Sequence, residues 1–418
     1  MKTEIIAIGA ELLTPDFQDT NSLSLTAGLN AIGLGVAFKS VVGDDAQDLA
    51  LALRTALGRA DVILCMGGLG PTEDDRTRET LAQVLGRKLV FHEEIAARIR
   101  ERFRRRGLPT PASNLKQSYV IEGAEALENP NGTAPGLWLL EGRRRIALLP
   151  GPPKEIQPMF RDQVLPRLAG LGGGPIVRRI VRLTGLGESA METKLKPVYA
   201  IVPPDVGVTT LATPGDLSIR LTTSAGNALE AAEARLDRLV EAIDRVLGPH
   251  IYSRDGSSLE AVLGGLLLSR GLTIACAESC TGGLIAHRLT DIPGSSAYFL
   301  ESAVTYGDRA KTRRLGVPGV LIKKHGAVSE AVARAMAAGI RRTSGADLGV
   351  AVTGIAGPSG GTPRKPVGLV YIALARARGI AVTRNLFFGR REDIKFQSSQ
   401  KALDMVRKSF SPARGKNL

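Results

Sequence analysis

The chain has 418 residues, 44% of them hydrophobic, and 55 Lys and Arg against 41 Asp and Glu give it a formal charge of +14. That length exceeds one ordinary core, so two or three domains are expected. No apolar run reaches the ~18 residues of a membrane span, and three cysteines without a CxxC pair exclude a disulfide framework and a structural zinc site.

The positive charge points to anionic partners, either nucleic acid or phosphorylated small molecules. Aromatic content of 4% argues against base-stacking platforms. The basic runs Arg98–Arg106 and Arg143–Arg145 read as solvated faces, so a nucleic-acid partner is not expected. The opening apolar stretch is interrupted by Glu4, Gly9 and Glu11, and reads as a buried strand rather than a targeting segment. Reduced thiols in a cytoplasmic protein follow as the expectation, with no membrane association.

In chain order, Thr3–Gly9 reads as a strand, Asn21–Ile32 as a helix, Val36–Val42 as a strand, Leu49–Leu57 as a helix and Asp61–Cys65 as a strand. This alternation predicts a parallel sheet covered by helices. Ile146–Leu149 reads as a late strand and Lys154–Leu168 as a helix, before a break at Gly172-Gly173-Gly174-Pro175. A smaller β-α-β-β-α unit follows: Ile176–Thr184, Ser189–Tyr199, Val206–Ala212, Leu217–Thr223 and Leu229–Leu247. The Gly, Pro, Ser and Asp of Gly248–Ser257 mark the next boundary. Beyond it the alternation resumes, with helices over Leu259–Ser269, Thr281–Leu289, Glu330–Thr343 and Glu392–Phe410. The strands between them cover Leu272–Ala275, Ala303–Tyr306, Leu348–Val352, Gly368–Ala375 and Ala381–Phe387. The expected architecture is two parallel or mixed-sheet α/β domains, residues 1–171 and 257–418, joined by a small α+β module over 175–249.

Five strand ends carry chemistry-bearing residues. Ala277–Gly283 (AESCTGG) places Ser279 and Thr281 at a helix start beside Gly282 and Gly283, where free N–H groups hold a phosphate or an oxyanion next to a nucleophilic serine. A simple helix cap by Ser279 or Thr281 fits the same pattern. Tyr306 and Lys311 follow another strand end; a lysine in a desolvated cleft acts as a base, and a surface lysine is the plainer alternative. The loop Thr353-Gly354-Ile355-Ala356-Gly357-Pro358 either wraps a ligand or merely connects. In the first domain, Gly67, Gly68 and Thr72 suit phosphate, while Asp74 and Asp75 suit a hard divalent cation or simply complement a helix N-terminus. Gly9, Glu11, Asp19 and Asn21 follow the first strand and are expected at the same crevice.

These segments together resemble the competence/damage-inducible CinA family along essentially the whole chain. The carboxy-terminal resemblance lies in AESCTGGLIAHRLTDIPGSSAYF, VTYGDRAKTRRLGV, HGAVSE, VTGIAGPSGGTPRKPVG and FFGRREDI; the amino-terminal one lies in GAELL, QDTNS, GGLGPTEDD, NPNGTAPG and LPGPPKE. It implies a molybdopterin-binding-like first domain with metal-dependent ADP-ribose pyrophosphatase activity. It also implies a last domain that deamidates nicotinamide mononucleotide without a cofactor, in pyridine-nucleotide recycling, within a homodimer. On this resemblance Ser279 falls on the nucleophile and Tyr306 and Lys311 on its activating pair. Arg391 falls on a substrate contact, with Thr281, Gly282, Gly283, Thr353, Gly354, Ala356 and Gly357 around the substrate. Departures include Glu301-Ser302, Gly307-Asp308-Arg309, and Lys395 where a second Arg is common. The alternatives are a molybdenum-cofactor-related enzyme and a nucleic-acid-associated competence protein; the middle module lacks the basic GxxG that RNA clamping would use.

Overall fold

The computed structural model describes residues 1–226 and 228–410, and it is an α/β protein. It separates into two compact units, residues 1–177 with 223–234 and residues 178–222 with 235–418. No helix among the described residues is long and apolar enough to cross a membrane.

In the first unit, strands β1 (Thr3–Ile8), β2 (Val36–Val42) and β3 (Val62–Met66) are followed by a short antiparallel pair, β4 (Leu89–Phe91) with β5 (Tyr119–Ile121). Then come β6 (Glu125–Leu127), β7 (Gly136–Glu141) and β8 (Arg144–Leu149). The main sheet runs β2-β1-β3-β8-β7-β6. Its first four strands are parallel, as the alternation predicts, while β7 and β6 return antiparallel. β1 and β3 are buried throughout because helices cover both faces. Side chains alternate accordingly. Ile6, Ile8, Ile63 and Cys65 face helices Ala46–Arg59 and Thr77–Leu85, and Ile5, Ala7, Val62 and Leu64 face helix Asn21–Ala31 and the segment after Pro153. That segment, expected as one helix, changes to a wider turn over Phe160–Val164 before resuming at Leu165-Pro166. Pro158 lies inside the first piece and Pro166 opens the last, and neither has an N–H to donate.

The middle sheet has the order β10-β11-β9-β12, from β9 (Ile176–Leu183), β10 (Gly207–Thr213), β11 (Asp216–Ser224) and β12 (Ile251–Ser253). β12 lies within the stretch read above as a boundary; three residues are too few to show a period of two.

The last sheet is ordered β14-β13-β15-β16-β17, from β13 (Ile274–Glu278), β14 (Phe299–Val304), β15 (Leu348–Gly354), β16 (Leu369–Arg376) and β17 (Gly379–Leu386). β13 is parallel to both neighbours, with Glu278 opposite Val304 and Val352; β16 and β17 are antiparallel. Ile274 and Cys276 pack on helices Leu259–Leu268, Leu284–Thr290 and Arg391–Lys408, and Ala275 and Ala277 on helix Glu330–Ser344. The latter buries Val332, Ala333, Met336, Ala337 and Ile340, one helical stripe, and starts on a Ser329 cap. Truncating a fully buried side chain such as Ile372 to Ala would cost about 2–5 kcal/mol. The parallel register brings the ends of β13, β14 and β15 to one edge, where an α/β sheet builds its sites.

Candidate functional site

At that edge β13 ends in Glu278 and the chain turns. Gly282 and Gly283 sit at φ +64° and +96°, and the helix begins only at Leu284. The expected helix start at Thr281 is therefore corrected by three residues, because left-handed glycines cannot continue a right-handed helix. Neither Ser279 nor Thr281 caps that helix. The buried Glu278 carboxylate does, accepting from the N–H groups of Gly283 (3.0 Å), Ile285 (3.1 Å) and Ala286 (2.9 Å). Gly282 N–H donates to the Ser279 carbonyl. Of the amides expected to face an oxyanion, those of Gly282 and Gly283 are thus engaged. Those of Cys280 and Thr281 donate to no protein acceptor among the described residues. The Thr281 hydroxyl is buried with no hydrogen-bond partner among the described residues.

Lys311 lies in helix Asp308–Leu315 and is 1% exposed. Its Nζ donates to the carbonyls of Thr305 (2.9 Å) and Tyr306 (3.0 Å) and lies 3.2 Å from Ser279 Oγ. Burial pulls its pKa below the ordinary lysine value, opposed by the nearby Asp308 charge. An ammonium in this place uses all three protons. A neutral amine keeps its two N–H groups on the two carbonyls and turns its lone pair to the serine hydroxyl. The surface-lysine alternative is thereby excluded. Cys280, next to Ser279, is no rival nucleophile: burial pushes its thiol up to about 12.

Tyr306 reaches Lys311 through its backbone carbonyl, not its phenol. The residue is 61% exposed, and its hydroxyl accepts from Arg391 Nη2 at 3.0 Å. Arg391 Nη1 donates to the Gly357 carbonyl at 2.6 Å, so the glycine-rich loop aims the guanidinium. Ala356 and Thr353 are buried, and the Thr353 hydroxyl donates to the Ala327 carbonyl. Gly354 ends β15 opposite Val370. These three shape the loop rather than present side chains.

In the first unit, Gly9, Glu11, Gly67, Gly68, Asp74 and Asp75 line one cavity of about 370 Å³ at the ends of β1 and β3. Gly67 is obligatory, since a Cβ there would stand 2.1 Å from the Ile8 carbonyl. Asp44 and Glu155 also line it and escaped the sequence reading, although Asp44 follows the end of β2 as the others follow β1 and β3. Three expected residues lie outside the lining. Asp19 accepts the Ser22 N–H, and Asn21 donates to the Gly151 carbonyl. Thr72 gives both its N–H and its hydroxyl to Asp75. The carboxylates suit a hard cation, but no three His, Cys, Asp or Glu side chains among the described residues converge on one ion. A cation here would draw further ligands from phosphate or water.

Comparison with known proteins matches three family descriptions in succession: "Probable molybdopterin binding domain" over residues 4–170, "Damage-inducible protein CinA KH domain" over 178–253 and "CinA C-terminal domain" over 256–410. A solved structure, the competence/damage inducible protein CihA from Agrobacterium tumefaciens, is 39% identical over 36% of this chain and 96% of its own, with a TM-score of 0.35. A CinA-like protein of Acidobacterium capsulatum is 45% identical over 98% of this chain and 99% of its own. A CinA-like protein of Koribacter versatilis is 46% identical over 98% of this chain and all of its own. Likeness sustained across every domain means that the chain belongs to the CinA family.

Proposed function

We propose that the last domain hydrolyses the carboxamide of nicotinamide mononucleotide to nicotinic acid mononucleotide and ammonia. The observation that carries this reading is the buried Lys311 amine 3.2 Å from Ser279 Oγ. Neutral Lys311 takes the serine proton as Oγ attacks the carboxamide carbon, and the Cys280 and Thr281 N–H groups face the developing oxyanion. The tetrahedral adduct collapses, the C–N bond breaks, and Lys311 returns the proton to the departing ammonia. Water, deprotonated by the same amine, then attacks the acyl-serine and releases the carboxylate. Arg391 presents its guanidinium to the substrate phosphate. Ammonia release from nicotinamide mononucleotide by the purified chain tests the reading; no release above the Ser279→Ala background rejects it.

For the first domain we infer a second, metal-dependent hydrolysis of ADP-ribose in the 370 Å³ cavity. Asp74 and Asp75 would hold the cation, which when bound would neutralise the diphosphate charge. Both substrates are fragments of one dinucleotide, so the pair of activities fits pyridine-nucleotide recycling, with a homodimer as the working assembly.

A further inference from the structure

One buried carboxyl group at the last domain's sheet edge has no place in the mechanism above. Glu278 is fully buried and immediately precedes Ser279. Its carboxylate accepts four hydrogen bonds. Oε2 takes the N–H groups of Gly283 and Ile285; Oε1 takes Ala286 N–H and the Ser302 hydroxyl at 3.2 Å. The two oxygens of a carboxyl group offer about four lone-pair sites, and four donors occupy them. The backbone of Glu278 is equally engaged, its carbonyl accepting Thr305 N–H at 2.8 Å.

We propose that Glu278 is a positioning residue for the serine–lysine pair, a role that rests on the deamidase reading. Two chains of contact meet on it. Through Gly283 it closes the loop that carries Ser279, fixing both left-handed glycines and leaving the Cys280 and Thr281 amides uncommitted. Through Ser302 and Thr305 N–H it holds the end of β14, whose next two carbonyls grip Lys311 Nζ. Its side chain thus closes the nucleophile's loop and reaches β14 through Ser302, while its backbone carbonyl, holding Thr305 N–H, ties the base's cradle to the same residue. It also decides where substrate charge goes: the first-turn amides of helix Leu284–Thr290 are already taken, so a phosphate is left to Arg391 rather than to a helix N-terminus.

The discriminating variant is Glu278→Gln. The glutamine keeps its size and one acceptor oxygen, but turns an NH2 donor toward donors that the carboxylate accepted. Two readouts are taken on the full chain: steady-state deamidation, and the rate at which a fluorophosphonate probe labels Ser279, mapped by mass spectrometry. Misplacement on the order of 1 Å costs roughly 100-fold in rate. We therefore expect kcat and labelling rate to fall about 100-fold, with KM within about twofold because Arg391 is untouched. A merely structural role would lower melting temperature and raise KM while leaving labelling of the folded fraction unchanged, and that outcome overturns the proposal. If the wild-type chain releases no ammonia but Glu278→Gln still slows labelling, the positioning role stands and the deamidase reading falls. If wild type is active and the variant matches it, the positioning role falls alone. Should Glu278→Gln fail to fold, Ser302→Ala removes a single bond. It should lower kcat and labelling of the folded protein by about 3- to 10-fold with only a few degrees' loss of melting temperature, and unchanged rates there overturn the proposal.

Discussion

Lys311 Nζ lies 3.2 Å from Ser279 Oγ although 32 residues separate them in the chain. The distance follows from the register of two parallel strands. Glu278 lies opposite Val304, so Ser279 and the Thr305–Tyr306 carbonyls emerge side by side, and the next helix returns Lys311 to those carbonyls.

Replacing Ser279 by Ala removes the proposed nucleophile and one contact of Lys311. Ammonia release should fall at least about 1,000-fold. Thermal melting should show a loss of no more than about 1.5 kcal/mol, the contribution of one hydrogen bond. ADP-ribose hydrolysis should be unchanged. A well-folded variant with near wild-type turnover would remove Ser279 from the mechanism.

In the proposed mechanism Lys311 acts as the neutral amine, and burial holds its pKa below the ordinary 10.5. Deamidase kcat/KM should therefore rise with pH along a limb centred below 10.5 and then level off. The linkage has a definite sign. Between the lowered folded pKa and 10.5 the unfolded chain binds more protons, so stability increases as pH rises through that window. Lys311→Met should be inactive and should lack this increment; denaturant melts of both proteins across the window measure it. A kcat/KM flat over the range would rule out Lys311 as the base.

The first domain should need a divalent cation and the last should not. Chelator is expected to abolish ADP-ribose hydrolysis and leave ammonia release within about twofold, and Asp74→Asn or Asp75→Asn should reproduce the first effect at roughly 100-fold. Asp75 also anchors Thr72, so Asp75→Asn should cost more stability than Asp74→Asn. ADP-ribose turnover that survives chelation would overturn the metal assignment.

A fragment from residue 257 onward should fold and deamidate. Its sheet and both flanking layers come almost entirely from within it. It loses Tyr252 from one core cluster and the Ile251 carbonyl that accepts from Arg407. The fragment should melt below the full chain yet keep kcat within about threefold. An insoluble or inactive fragment beside an active full chain would show that the middle module is required.

The sequence by itself determined the elements and the chemistry available to them. Apolar runs closed by glycines marked β1 and β3, and helix Leu229–Leu247 was legible to the residue because its stripe spans five turns. Ser279, Lys311, Asp74 and Asp75 were legible as reactive types after strand ends, and Arg391 through the family resemblance alone. Tertiary structure decided which of them meet and through which atoms. Tyr306 serves Lys311 by its carbonyl and Arg391 by its phenol, a division that no spacing encodes. Asp19 and Asn21, a few residues beyond β1, are engaged by Ser22 and Gly151 instead of the cavity, while Asp44 and Glu155 replace them in its lining. Glu278 was given no role in the Ala277–Gly283 motif because a buried carboxylate's partners are mostly backbone amides, which carry no mark in the sequence. Periodicity reports burial along one element, but hydrogen bonds between elements depend on register and loop conformation, and those exist only once the sheet has formed.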